Sequence, residues 1–117
     1  MNFGADLALG GACGRTADGG FRGKGWIQRD GDTLELTEVT MTTTYDDGNP
    51  LLHETVRLTA TDSAGATIAV DGTVLTICPT KIPRRDGVTF VNEGLARFET
   101  DGRTGFGIAE HWHAVPR

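Results

Sequence analysis

The chain comprises 117 residues with a net charge of −5 at pH 7, and its 17 glycines are about twice the usual share. This length predicts a single domain over residues 1–117, because two hydrophobic cores would not fit. The acidic balance argues against a nucleic-acid partner, since there is no basic block to neutralise phosphates. No apolar run approaches the roughly 18 residues that a transmembrane helix requires.

The first residues, MNFGADLALG, and the cysteine content predict a cytoplasmic protein. The segment has no positively charged region and carries Asp6 among apolar residues, so a signal peptide is not expected. Cys13 and Cys78 form no CxxC pair and have no zinc-ligand spacing. We therefore expect two free, buried thiols rather than a disulfide.

Apolar and polar residues alternate with a period of two along most of the chain, which predicts β-strands. Turn signals rich in Asp and Gly lie at 17–20, 29–32, 46–49, 62–65, 70–73, 85–88 and 100–103. Asp-Gly suits tight hairpin turns, because glycine tolerates positive φ. The pattern predicts about eight strands. They lie near 3–9, 21–28, 33–45, 51–61, 66–71, 73–79, 88–99 (with a break near Gly94) and 104–114.

Strands joined in sequence order favour an antiparallel meander that curls into a lipocalin-like β-barrel or half-barrel, because closure removes exposed edges. A two-sheet β-sandwich is the alternative. The apolar face switches between Leu36 and Val39, at Thr37-Glu38, and the alternation slips again around Gly72. Such breaks indicate β-bulges or corners, which give a sheet its curvature.

The predicted strand at 51–61, LLHETVRLTAT, carries a candidate ligand-binding residue. Alternation places Glu54 on the apolar face with Val56 and Leu58. His53 and Arg57 fall on the opposite face, which we expect to be solvated. The alternative for Glu54 is a solvated position at the start of the strand.

The last predicted strand contains EHWH, Glu110 to His113, the densest group of reactive side chains in the sequence. Alternation divides this strand into a face with Phe106, Ile108, Glu110 and Trp112 and a face with Gly105, Gly107, Ala109, His111 and His113. A His-x-His pair is only part of a zinc site, which needs at least a third protein ligand. No sequence rule brings His53 close to this pair, so neither a metal site nor a cofactor is predicted.

Glu110 is the candidate catalytic residue because its neighbours on the same face are apolar. A partly desolvated carboxylate there is suited to act as a general acid near neutral pH. The alternatives are a salt bridge to an arginine such as Arg57 or Arg97, or a position at the frayed end of the strand. We further expect Phe106 and Trp112 to be buried on the face of Glu110. On the opposite face, the two glycines would permit sharp curvature or close approach of another element.

The segments GKGWIQRDGD, YDDGNP, VRLTATDSAG and FVNEGLARFETDGRTGFGIAEHWH resemble the C-terminal half of a two-part, lipocalin-like family. That family is largely of unknown function and is related to AttH-like and carotenoid 1,2-hydratase (hydroxyneurosporene synthase) proteins. The most specific part is a DG turn followed by G-x-G-x-x-E, here Gly105, Gly107 and Glu110. The resemblance implies a calycin-type β-barrel with a cavity for an apolar small molecule. Because relatives carry two β-domains, it also implies a second β-domain or a homodimer.

Three functions are compatible with these features. The first is a non-enzymatic binding module for a lipid or isoprenoid-like molecule, with Trp26, Phe106, Trp112 and Glu54 as ligand-binding residues. The second is an enzyme that protonates or hydrates a terpenoid-like substrate, with Glu110 as general acid and aromatic rings stabilising a carbocation. The third is a structural domain that pairs with a second β-domain. Alternatively, the aromatic residues simply fill a solid core.

Overall fold

The computed structural model describes residues 1–18 and 21–117, and its regular structure is one antiparallel β-sheet. The strands are β1 (Leu7–Arg15), β2 (Phe21–Arg29), β3 (Asp32–Tyr45), β4 (His53–Asp62), β5 (Thr67–Arg84), β6 (Gly87–Thr100) and β7 (Arg103–Pro116). Each strand pairs with the next along the chain, so the sheet is a meander that curls into a half-barrel. The predicted all-β antiparallel half-barrel is confirmed, and the two-sheet alternative is wrong.

Residues 1–3 connect the first and last strands at one end of the curled sheet. Asn2 forms bridges to Ala8 of β1 and to Phe106 of β7. Its N–H donates to the Phe106 carbonyl at 2.9 Å, and its carbonyl accepts from the Phe106 N–H at 3.0 Å. This end of the half-barrel, which we name the closed end, is therefore completed by the N-terminal segment.

Tight turns occur at most of the predicted Asp-Gly signals. Asp30 and Gly31 between β2 and β3 have φ values of 50° and 91°, and Asp101 and Gly102 between β6 and β7 have 47° and 73°. These left-handed conformations explain the glycines, which adopt them without steric cost. The turn predicted at 17–20 includes residues 19–20, which lie outside the described residues.

Some predicted boundaries are wrong. No turn occurs at 70–73, because β5 runs unbroken from Thr67 to Arg84. A Cβ added at Gly72 would lie 2.6 Å from Cε1 of Phe98, so this glycine makes room for an aromatic ring instead of forming a turn. The strand predicted at 3–9 is displaced to 7–15. There are thus seven strands in the described residues, one fewer than expected.

Two predicted irregularities have counterparts in the sheet. The register between β3 and β4 shifts between Leu36 and Glu38, which confirms the bulge expected at Thr37-Glu38. The second shift, between β5 and β6, lies between Val74 and Thr76 and therefore beyond the expected position at Gly72. A further shift, between Thr44 and Tyr45 of β3, is not predicted and has consequences for the site.

The hydrophobic core lines the concave side of the sheet. Its fully buried large apolar side chains are Leu9, Ile27, Leu36 and Val70. Phe3, which follows the bridging Asn2, is also buried in this core. The N-terminal segment thus contributes core packing as well as backbone pairing.

The alternation predicted for the last strand is correct, but the predicted inner face is wrong. Phe106 and Trp112 are 54% and 61% exposed on the outer surface, and Gly105, Ala109 and His111 are buried inside. A Cβ at Gly105 would lie 2.3 Å from the Asn2 oxygen and 2.6 Å from Cδ1 of Phe3. The glycine face is therefore the inner one, because residues 1–3 pack against it. The expected close approach of another element is confirmed.

Candidate functional site

A cavity of about 850 Å³ occupies the concave side of the half-barrel. It is bounded in part by β1 and in part by β7, beyond the closed end. Its apolar wall is formed by Met1, Met41, Val56, Leu58, Val70 and Phe98. Its polar end is formed by Thr43, Tyr45, His111 and His113.

An unpredicted bulge turns a histidine toward this polar end. In the pairing of β3 with β4, Thr44 pairs with Thr55 but Tyr45 pairs with His53, so Glu54 is the extra residue. His53 is consequently only 1% exposed, whereas Glu54 is exposed, the reverse of the assignment from alternation. A one-residue insertion reverses the face of every residue beyond it, which explains the error.

Two further residues support the position of His53. A Cβ at Gly94 of β6 would lie 2.7 Å from the His53 Nε2, so only glycine leaves space for the imidazole. The predicted break at Gly94 is therefore wrong, since β6 is continuous there and the glycine serves packing. The buried Asn92 side chain donates to the Leu51 carbonyl at 2.6 Å and so fixes the loop before β4.

The rings of His53, His111 and His113 form a stacked histidine cluster. The centroids of His53 and His111 are 4.1 Å apart with an interplanar angle of 28°. Those of His111 and His113 are 6.3 Å apart at 20°. Tyr45 presents its ring edge-on to His113 at 5.8 Å and to His111 at 6.1 Å. All three histidines of the chain thus meet, and two of them, His111 and His113, line the polar end of the cavity.

In each of the two most buried imidazoles, one ring nitrogen has a hydrogen-bond partner and the other has none. The His53 Nε2 lies 2.7 Å from the Ala109 carbonyl, which can only accept, so this nitrogen carries the proton. The His111 Nε2 lies 3.0 Å from the Thr43 hydroxyl. Among the described residues, the buried side-chain nitrogens without a hydrogen-bond partner are the Nδ1 atoms of His53 and His111 and the Nε2 of His113. Buried polar atoms usually have a partner, so these atoms indicate a place for a polar ligand atom or water.

Burial keeps two of the three imidazoles, those of His53 and His111, uncharged. Desolvation, together with the neighbouring His53 and His113, lowers the pKa of His111 from 6.5 to about 4. Desolvation also lowers the pKa of His53, although its bond to the Ala109 carbonyl acts in the opposite direction. His53 and His111 are therefore neutral at pH 7, and their imidazoles act as hydrogen-bonding groups without charge.

The orientation of the rings does not suit a metal ion. Imidazole lone pairs lie in the ring plane, so stacked rings direct their nitrogens along nearly parallel planes instead of toward one point. The protonated Nε2 of His53 is also occupied by a carbonyl. In residues 1–18 and 21–117, no three His, Cys, Asp or Glu side chains are grouped so as to hold a metal.

The predicted catalytic residue, Glu110, is exposed at the rim of the cavity. Its Oε1 accepts a hydrogen bond from the Trp112 indole nitrogen at 2.5 Å, and Trp112 also lines the rim. The desolvated environment expected for Glu110 is therefore wrong. The alternative salt bridge is also wrong, because Arg57 pairs with Asp71 and Arg97 lies near Glu99.

The other predicted ligand-binding residues lie outside the cavity lining. Trp26 is 46% exposed, and its indole lies against Gly10 on the outer surface. Phe106 is exposed on the same outer side, and Glu54 is exposed at the bulge. The free thiols are confirmed, although Cys78 is exposed and only Cys13 is partly buried at the cavity wall.

Sequence reasoning missed Thr43, Tyr45 and His53 as site residues. The shared face of His111 and His113 was visible from alternation, and it does bring both into the cavity. Tyr45 and Thr43 had no distinguishing signal within a threonine-rich strand. His53 was assigned to the wrong face, because an unpredicted bulge decides its direction.

The fold and the cavity define a small all-β half-barrel protein with a concave site that ends in a histidine cluster. The chain belongs to the family described as Domain of unknown function (DUF7064), whose model matches residues 1–115. Neither the curated proteins nor the solved structures contained a match to the chain. No helix long and apolar enough to cross a membrane occurs in the described residues.

Proposed function

We propose that the protein binds an uncharged apolar small molecule, lipid- or isoprenoid-like, in the cavity of the half-barrel. The observation that carries the proposal is the combination of an apolar wall with buried, unpartnered imidazole nitrogens at one end. The cavity volume of about 850 Å³ falls in the range of small-molecule sites, which are mostly apolar with a few orienting polar groups.

The neutral imidazole of His111 and the Tyr45 hydroxyl specify the polar part of the ligand. A hydroxyl or carbonyl group can hydrogen-bond to an uncharged imidazole or to the Tyr45 hydroxyl. Beside the neutral His111, a carboxylate or phosphate would lose its hydration without pairing with an opposite charge, which is costly. We therefore expect an apolar alcohol or ketone to bind more tightly than the corresponding acid.

The resemblance to lipocalin-like, AttH-like and carotenoid 1,2-hydratase-related proteins supports the proposal, because such barrels hold apolar ligands in their interior. The proposal includes kinship of the chain with these lipocalin-like proteins and a cytoplasmic location. The enzymatic alternative with Glu110 as general acid has lost its physical basis, since the carboxylate is exposed.

The test measures binding of a fluorescent polyene alcohol and compares two tryptophan variants. Met41→Trp places an indole at the apolar wall and should abolish binding, because Met41 is only partly buried and its side chain borders the cavity. Leu95→Trp, at a 43% exposed position of the outer surface, is the matched control and should bind like the wild type. Thermal melts establish that both variants are folded.

Native mass spectrometry of the protein from its own host provides an independent measurement. We expect a retained molecule of a few hundred daltons, which Met41→Trp should lack. Equal polyene binding by wild type and folded Met41→Trp, with no retained molecule in either, would show that the proposed site is wrong.

A further inference from the structure

The walls of the half-barrel do not meet beyond the closed end. We name the opening between the free edge of β1 (Gly11–Arg15) and the free edge of β7 (Ile108–Ala114) the seam. Both edges line the same cavity. In the described part of the chain, the backbone bonds that link β1 to β7 run through residues 1–3.

Residues 1–3 occupy the closed end of this opening as a single extended strand. Asn2 exchanges both of its backbone bonds with Phe106 of β7. Its neighbours bond to β1 instead: the Phe3 N–H donates to the Leu7 carbonyl at 2.9 Å, and the Leu9 N–H donates to the Met1 carbonyl at 3.0 Å. Alternate residues thus bond to alternate edges, as in the central strand of an antiparallel sheet. The opening is one strand wide at this end.

Unpaired backbone groups continue along both edges. Since Phe106 directs its N–H and C=O toward the seam, the two-residue period directs those of Ile108, Glu110 and Trp112 the same way. Leu7 and Leu9 direct their backbone groups toward residues 1–3, so the same period directs those of Gly11, Cys13 and Arg15 toward the seam from β1. Within the described residues, these six have no backbone partner on that side.

The two edges of the seam carry only one charged side chain each among the seam-facing residues, Arg15 on β1 and Glu110 on β7. Natural edges carry charges, prolines or bulges that prevent pairing with another chain. On β7, the seam edge carries Ile108 and Trp112, which are 59% and 61% exposed, and Glu110 is the charged side chain between them. Pro116 lies at the far end of the strand. An exposed apolar edge of this kind is typical of an interaction surface.

The geometry points to an extended segment of a second polypeptide as the occupant of the seam, antiparallel to both β1 and β7. This inference goes beyond the proposed small-molecule site, because the segment completes the wall of the cavity. Binding of an added strand to exposed sheet edges is a known mode of peptide recognition, in which backbone bonds supply affinity and alternate pockets supply specificity.

The register set by residues 1–3 specifies the chemistry of this segment. Met1 and Phe3, which are two residues apart, point into the core. If the bound segment continues this alternation, every second side chain also points inward and should be apolar. Side chains with the parity of Asn2 point outward, and three of them would pair with Ile108, Glu110 and Trp112. The position opposite Glu110 favours lysine or arginine, because opposite charges across antiparallel strands are stabilising.

The experiment uses a synthetic peptide built on this register. It carries valine at three inward positions, lysine opposite Glu110, and threonine opposite Ile108 and Trp112, with polar flanking residues. Amide hydrogen exchange of the full chain is read by NMR. We expect at least tenfold slower exchange at the seam-facing amides of both edges, Gly11 and Cys13 on β1 and Ile108, Glu110 and Trp112 on β7.

A matched peptide tests whether backbone pairing causes the protection. Methylation of the amide nitrogens opposite Ile108, Glu110 and Trp112 leaves the side chains unchanged and removes the donors. This peptide should give no protection. Equal protection by both peptides, or no protection by the unmodified peptide, would overturn the inference.

A protein variant gives a second readout. Glu110→Pro removes an N–H that faces the seam and leaves the bonds to β6 in place. It should weaken peptide binding at least tenfold, whereas Glu110→Gln should weaken it only a few-fold. If the proline variant does not fold, the comparison of the two peptides still decides. Protection confined to β7 that grows with protein concentration, without any peptide, would identify a second copy as the occupant and overturn the inference.

Discussion

The imidazole of His53 on β4 stacks on that of His111 on β7, with ring centroids 4.1 Å apart, although these strands are not neighbours in the sheet. The curl of the sheet brings the two strands together across the concave side. His53 also bonds to the carbonyl of Ala109, on the same strand as its stacking partner. The two imidazoles therefore connect the middle strand of the meander to its last strand. Both of them are neutral in the folded protein at pH 7.

This stack predicts a pH-dependent stability. The pKa of His111 falls from 6.5 to about 4 on folding, so the unfolded chain binds more protons between these values. The free energy of unfolding should rise with pH across that window and stay level above it. The full loss below pH 4 is on the order of 3 kcal/mol for His111. The lowered pKa of His53 acts in the same direction.

Urea denaturation between pH 4 and pH 8 measures this dependence. His111→Phe keeps an aromatic ring for the stack but cannot be protonated, and it should lose most of the slope. An unchanged slope in that variant would assign the pH dependence to other groups.

Aromatic residues on the two faces should differ in their contribution to stability. Phe98 is 3% exposed in the core, so Phe98→Ala should lower the free energy of unfolding by about 3–5 kcal/mol. Trp112 is mostly exposed, so Trp112→Ala should cost about 1 kcal/mol or less. Urea denaturation of both variants provides the measurement, and equal losses would contradict the assignment of the inner face.

Gly105 should be intolerant of any side chain. A Cβ there overlaps the Asn2 oxygen and the Phe3 ring, so Gly105→Ala should displace residues 1–3 and cost about 1–3 kcal/mol. Gly14→Ala is the control, because its Cβ would meet nothing within 4 Å. Amide exchange at Phe106 should accelerate in the first variant and stay unchanged in the second.

The two aspartates Asp62 and Asp71 offer a contrast between buried and exposed carboxylates. Asp62 is 3% exposed, and its Oδ1 accepts from the N–H groups of Ala64 and Ala66, each at 2.9 Å. Asp62→Ala should cost about 1–3 kcal/mol, because it leaves turn donors unsatisfied. Asp71→Ala removes an exposed pair with Arg57 and should cost at most about 1 kcal/mol. Thermal or urea unfolding distinguishes the two, and similar losses would count against this account.

Alternation was sufficient to predict most of the strands and the two faces of β7, because a period of two is a local property of extended chain. It was not sufficient to decide which face is inside. That choice depends on residues 1–3, which pack on Gly105 and Gly107 from a distant part of the sequence. The apolar side chains of Phe106 and Trp112 were therefore misleading evidence of burial.

The histidine cluster illustrates a second limit. His111 and His113 could be placed on one face, but His53 joins them only because Glu54 is an extra residue in the pairing with β3. A bulge of this kind depends on packing between strands, including the space above Gly94. No pattern within a single strand contains that information.

The bridge between Asn2 and Phe106 has a consequence for the order of folding. Successive strands form hairpins, whose ends meet after closure of short loops. Asn2 and Phe106, by contrast, are separated by most of the chain, so their contact requires the largest loss of chain entropy. We expect the meander to assemble hairpin by hairpin and the N-terminal segment to dock last. The contact between Asn2 and Phe106 should also open first in local unfolding. The closed end of the half-barrel can therefore open without loss of the sheet.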